Sequence, residues 1–127
     1  MATRQSFTAG QILTATQQNA LATAMVALNA QTGTSYTAVL ADDGKLVTLD
    51  NGSAITFTIP PNSSVAFGIG TQINLMQLGA GVATITAGAG VTLRSAGTKV
   101  KTNGQYSVAT CVKIATDTWV LVGNLSA

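Results

Sequence analysis

Hydrophobic and polar positions follow two different periods along this chain, and the change of period divides it. Leu21, Met25 and Leu28 recur at i, i+4 and i+7, with Ala24 on the same stripe. Thr14 and Gln17 stand three apart at the start of this stretch, as in a capping box whose side chains satisfy the first orphan N–H groups. The residues between are mostly Ala, Gln, Leu and Met, which are good helix formers, and Gly33 is a plausible stop. The pattern predicts a helix over 14–31 behind an N-terminal arm, 1–13. A helix of that length is marginal alone. Its stripe must dock on its own domain or on further copies, so Leu21, Ala24, Met25 and Leu28 are candidate oligomer contacts.

From residue 34 the period is two. Ile55, Phe57 and Ile59 alternate with Thr56 and Thr58, a strand with one buried face that ends at Pro60-Pro61. Ser35–Leu40 and Lys45–Leu49 read as strands around an Asp42-Asp43-Gly44 turn. Val65–Phe67, Gln72–Leu78, Val82–Ala87, Val91–Arg94, Gln105–Ile114 and Thr118–Val122 follow. In the longest, Tyr106, Val108, Thr110, Val112 and Ile114 share one side. The fold expected is mainly β: a sandwich or barrel of about eight short antiparallel strands over 34–127, preceded by the one helix. Trp119, the only tryptophan, is the expected core anchor. No repeat is evident beyond the strand spacing, and the whole reads as a single structural domain.

Composition changes this picture in one respect. Only 8% of the 127 residues are charged, against about 25% in ordinary soluble domains. Surface charge normally keeps monomers apart, so its scarcity favours a surface partly buried against other chains. The net charge of +2 comes from dispersed cations, which is far from a nucleic-acid footprint. The chain begins without a signal-peptide-like apolar run, and no apolar stretch is long enough to span a membrane. Synthesis in a cytoplasm and assembly inside the cell are expected, with neither nucleic acid nor membrane as partner.

Catalysis finds little footing. Histidine and glutamate are absent, and these are common general bases. Asp42, Asp43, Asp50 and Asp117 all fall in predicted turns, where aspartate usually caps its own backbone. Cys111 has no histidine to activate it and no second cysteine to pair with. Calcium would need six or more oxygen ligands. Gly79-Ala80-Gly81 and Gly88-Ala89-Gly90 look like fragments of a phosphate loop, but a strand pattern follows the first where a helix is required. No enzyme activity, cofactor or metal is expected.

Two stretches resemble known proteins. Phe7-Thr8-Ala9-Gly10-Gln11-Ile12-Leu13-Thr14-Ala15, with Asn19-Ala20-Leu21, is similar to the start of many bacteriophage tail and virion proteins. Much of the remainder resembles a β domain that recurs in bacteriophage structural proteins, often at their C-terminal ends. The resemblance is carried by Leu40-Ala41-Asp42, Lys45 to Leu49, Pro60 to Phe67, Gly70 to Ile73, Gly79-Ala80-Gly81 and Thr116 to Leu125. It implies a subunit of the virion. Because the chain carries little beyond helix and β domain, it also suggests a capsid decoration, or cement, protein. Such a protein would form a homotrimer on the capsid surface, bind the major capsid protein and clamp subunit boundaries. Arg4 and Phe7 would belong to the capsid-contact arm. The alternative is a tail-tip or tail-fibre-end module that meets tail proteins or a host surface glycan.

Overall fold

In the computed structural model, residues 15–16 and 28–127 are described. Ala15 and Thr16 are helical, and the rest is built from eleven short strands. In order they are β1 (Leu28–Gln31), β2 (Ser35–Thr37), β3 (Leu46–Leu49), β4 (Ile55–Ile59), β5 (Gln72–Gln77) and β6 (Ala83–Ala87). After these come β7 (Thr92–Ser95), β8 (Lys101–Thr102), β9 (Val108–Ala115), β10 (Thr118–Gly123) and β11 (Leu125–Ser126). Short 3-10 turns lie at Leu40–Asp42 and Ala96–Thr98.

The strands form two sheets, a six-stranded one in the order β1-β3-β5-β9-β10-β7 and a five-stranded one in the order β11-β8-β6-β4-β2. The first six strands alternate between the sheets, and β1, β3 and β5 stack in parallel, as do β2, β4 and β6. The chain therefore winds as a coil of three turns. Strand pairing places Asn29, Val47 and Leu75 in one ladder, and Tyr36, Phe57 and Ile85 in another. Antiparallel pairing begins only afterwards: β9 closes on β5, β10 on β9 and β8 on β6.

The mainly β expectation holds, whereas the all-antiparallel arrangement does not: both sheets are mixed, and neither closes into a barrel. The predicted turn at Asp42-Asp43-Gly44 carries the chain from one sheet to the other rather than forming a hairpin. Val65–Phe67 is not a strand. Instead, the Val65 N–H donates to the Pro61 carbonyl and Phe67 turns into the core. The helix predicted to reach residue 31 is overturned at its end, since Leu28–Gln31 is β1, paired residue for residue with Leu46–Leu49. Good helix formers yield there to a ladder that tertiary structure provides. Leu21, Ala24 and Met25, the Thr14–Gln17 capping box, and Arg4 and Phe7 lie outside the described residues.

Both sheets turn apolar side chains inward, including Val47, Leu49, Ile73 and Leu75 from one and Ile55, Phe57, Ile59 and Ile85 from the other. Trp119 is buried as expected and meets Phe67 edge-on, with ring centroids 5.4 Å apart. Two polar residues join the sheets through this core: the buried Thr102 hydroxyl donates to Gln77 Oε1 and accepts from the Ala83 N–H.

Stacking of the turns explains the Gly79-Ala80-Gly81 segment. The Gly81 N–H donates to the Asn51 carbonyl at 2.8 Å, and Asn51 Nδ2 reaches the Thr32 carbonyl one turn further back. A Cβ on Gly81 would stand 1.8 Å from the Ser53 carbonyl oxygen. These glycines are needed for close approach between successive turns.

Candidate functional site

Among the described residues, the buried polar groups are bonded to one another and to the backbone. Asp42 is fully buried, and its carboxylate accepts from Asn29 Nδ2 (2.8 Å), the Tyr36 hydroxyl (2.6 Å) and the Val39 N–H (3.0 Å). Gln31 Nε2 in turn donates to Asn29 Oδ1. Asn29 and Gln31 hold inward positions that carry Val47 and Leu49 one turn later. A polar layer thus closes the first turn of the coil. Burial, together with the Asp42 hydrogen bond and charge, pushes the Tyr36 hydroxyl up to about 12.

Lys113 is the functional group that sequence reasoning passed over. It is 2% exposed, on the inner side of β9 beside Ala109 and Cys111. Its ammonium donates to Asn62 Oδ1 and to the Phe67 carbonyl, each at 2.7 Å. Asp117 completes this knot: its side chain accepts from the Asn62 N–H and its carbonyl from the Thr92 N–H. The cluster fastens the 60–71 loop to the β9–β10 hairpin. An alternating strand pattern with a single inward lysine was the available signal. Cys111 is fully buried, and desolvation raises its thiol to about 12, leaving it protonated at neutral pH. Among the described residues no three His, Cys, Asp or Glu side chains gather as a metal site.

The accessible chemistry lies on the outer faces of the sheets. On the five-stranded sheet, pairing aligns Ser35, Thr56, Thr84, Lys101 and Ser126 in one outward row. Thr37, Thr58 and Thr86 form a second row. This face is hydroxyl throughout, with one ammonium.

On the six-stranded sheet, one outward row runs Leu28, Leu46, Asn74, Thr110 and Val122. Beside it lie the rows Ala30–Thr48–Met76–Val108, in which Thr48 is buried and Met76 half-buried, and Gln72–Val112–Val120–Arg94, whose two valines are half-buried. Leu28 is 63% exposed and Ile114, further along β9, is 51% exposed. The side of β9 that carries Val108, Val112 and Ile114 is therefore the outer one. Arg94 is the one charged residue in these rows, at the margin on β7. Of the predicted oligomer contacts, the structure puts Leu28 on this face. Nothing matches the chain among protein-family models, curated proteins or solved structures.

A third feature is Tyr106, 67% exposed in the β8–β9 connection with φ of 69°. A bulky residue in the left-handed region is uncommon and stores strain. It stands next to Gln105, whose side chain binds the Leu78 carbonyl. Two shallow hollows of about 230 and 260 Å³ flank β7 and the Ala96–Thr98 turn, the first lined by Leu93, Arg94, Ser95, Thr98 and Val100. The hydroxyls of Ser95 and Thr98 are already donated to the carbonyls of Lys99 and Gly97.

Proposed function

We propose that this chain is a non-enzymatic structural subunit of a bacteriophage virion, a capsid decoration protein that acts as a homotrimer on the head surface. The observation that carries the association is the apolar, nearly uncharged outer face of the six-stranded sheet. Leu28, Val108, Ile114 and Val122 are exposed on it, around a half-buried centre, and apolar side chains left open on one face favour an interaction site. The bacteriophage setting rests on the sequence resemblance. In this role the subunit spans boundaries between capsid proteins, and the added buried area stabilises the assembled shell by mass action.

Particles lacking the protein should remain infectious but lose resistance to heat, with release of DNA at a lower temperature. Unchanged heat resistance, or imaging that finds the protein elsewhere than on the head, overturns the reading.

A second reading, a tail-tip or fibre-end module, is favoured by Tyr106. An exposed, strained aromatic beside amide side chains suits stacking on a sugar ring. Labelled antibody would then mark the tail, and Tyr106→Ala would weaken adsorption to host cells.

A further inference from the structure

We propose that copies of this chain associate through the outer face of the six-stranded sheet, with β5 and β9 nearest the symmetry axis. This rests on the homotrimer reading and names the surface that makes it.

Size is the first argument. Six strands at about 4.8 Å spacing give a face roughly 24 Å wide, and strands of four to eight residues make it about 18 Å long on average. The flat area, on the order of 450 Å², already exceeds half of the ~800 Å² that each partner contributes to a stable interface. Side-chain relief and the neighbouring Ile114 add to it.

Charge is the second. A face that meets its own copies must not present them with its own sign of charge. Arg94 is the one charge in the outward rows, and it sits at the β7 edge. A strongly charged partner surface would find no opposite charge here.

Internal satisfaction is the third. The polar pair at the centre, Asn74 and Thr110, is hydrogen-bonded to itself at 2.8 Å, from the Thr110 hydroxyl to Asn74 Oδ1. Burial beneath a second copy leaves that bond in place, so the Thr110 hydroxyl proton and Asn74 Oδ1 keep their partner.

The geometry also suits three copies. Three walls 24 Å wide around a threefold axis place each wall centre about 7 Å from the axis, whereas facing sheets sit roughly 5 Å either side of their midplane. The remaining gap is of a size that Val108, Val112 and Met76 can fill.

The test uses the full chain. Sedimentation equilibrium should give three times the 12.8 kDa chain mass. Val112→Asp and Val122→Asp should each weaken association at least a hundredfold, with circular dichroism and Trp119 emission unchanged, while Thr58→Asp on the other face stays assembled. A second measurement guards against misfolded variants. A cysteine in Val122→Cys should resist maleimide in concentrated solution and react on dilution, against a silent background from buried Cys111.

An assembled wild type whose valine variants remain trimeric overturns this surface and leaves the homotrimer reading standing. A monomeric wild type overturns both. Protection of Val122→Cys at every concentration assigns the cover to the chain's own residues 1–27 and also overturns the proposal.

Discussion

The rows Ser35–Thr56–Thr84–Lys101–Ser126 and Leu28–Leu46–Asn74–Thr110–Val122 occupy equivalent places on opposite sides of one core. Each sheet contributes its inward side chains to that core, so the folding requirement is met on both. The outer positions are then free to suit their surroundings. On the five-stranded sheet they took hydroxyls, which keep the β-branched shape that strands favour while remaining compatible with water. On the six-stranded sheet they took mostly valine, leucine, isoleucine and methionine, around a polar centre of Asn74, Thr110 and Thr48. The difference shows where the scarce charge of the composition is felt: one outer face is polar through hydroxyls, and the other is largely apolar.

The largest effect should follow from breaking the stack that holds both faces in register. Gly81→Ala drives a Cβ into the Ser53 carbonyl, and a loss of about 3 kcal/mol or more is expected from the forced backbone shift. Thermal unfolding should show a fall of ten degrees or more. Unaltered melting would mean that the turns do not stack closely.

Next, the faces can be made alike. Val112, Val120 and Val122 replaced together by threonine should abolish association in sedimentation while leaving the fold intact. The converse, valine at Thr56, Thr58, Thr84 and Thr86, should add a second sticky face and appear as higher-order species in light scattering.

Lys113→Met removes the donor that holds Asn62 and the Phe67 carbonyl. Leaving those buried acceptors unmet should cost about 1–3 kcal/mol in denaturant unfolding. Association should be affected little, because the side chain points away from the outer face.

The effect that is smallest at neutral pH, and emerges only in alkali, comes from two raised groups. Tyr36 and Cys111 both titrate higher in the folded state, at about 12 against ordinary values of 10.0 and 9.0. The folded state therefore holds protons that the unfolded chain has released. Their contribution is complete below about pH 9 and should decline as pH rises toward 12. Tyr36→Phe together with Cys111→Ala should flatten that decline in melts taken across the interval.

Much of this fold is legible in the alternation of residues. Ile55-Thr56-Phe57-Thr58-Ile59 declares a strand and its buried side, and Gln72, Thr92 and Thr118 begin strands at or beside their expected places. The coil is not legible, because its repeat is uneven: Leu28 pairs with Leu46, eighteen positions on, and Leu46 with Asn74, twenty-eight on. No fixed period shows along the chain. The outer apolar face is hidden for a related reason. Both sides of β9 carry apolar residues, and only pairing with β5 and β10 reveals that Ala109 and Cys111, the smaller set, face inward. Lys113 interrupts that inner set, and local pattern offers no hint of the two oxygens, distant in sequence, that receive it.

The polar layer of Asn29, Gln31, Tyr36 and Asp42 bears on how an assembly of such chains would grow. Stacked coils are open-ended objects, and an exposed apolar terminus invites the next molecule to continue the winding. Here another turn laid against β1 and β2 would find, on its inner side, a carboxylate and two amides already bonded to one another. Lengthwise addition would gain little inner apolar burial there, whereas the sideways association proposed above can close at a finite size by rotational symmetry.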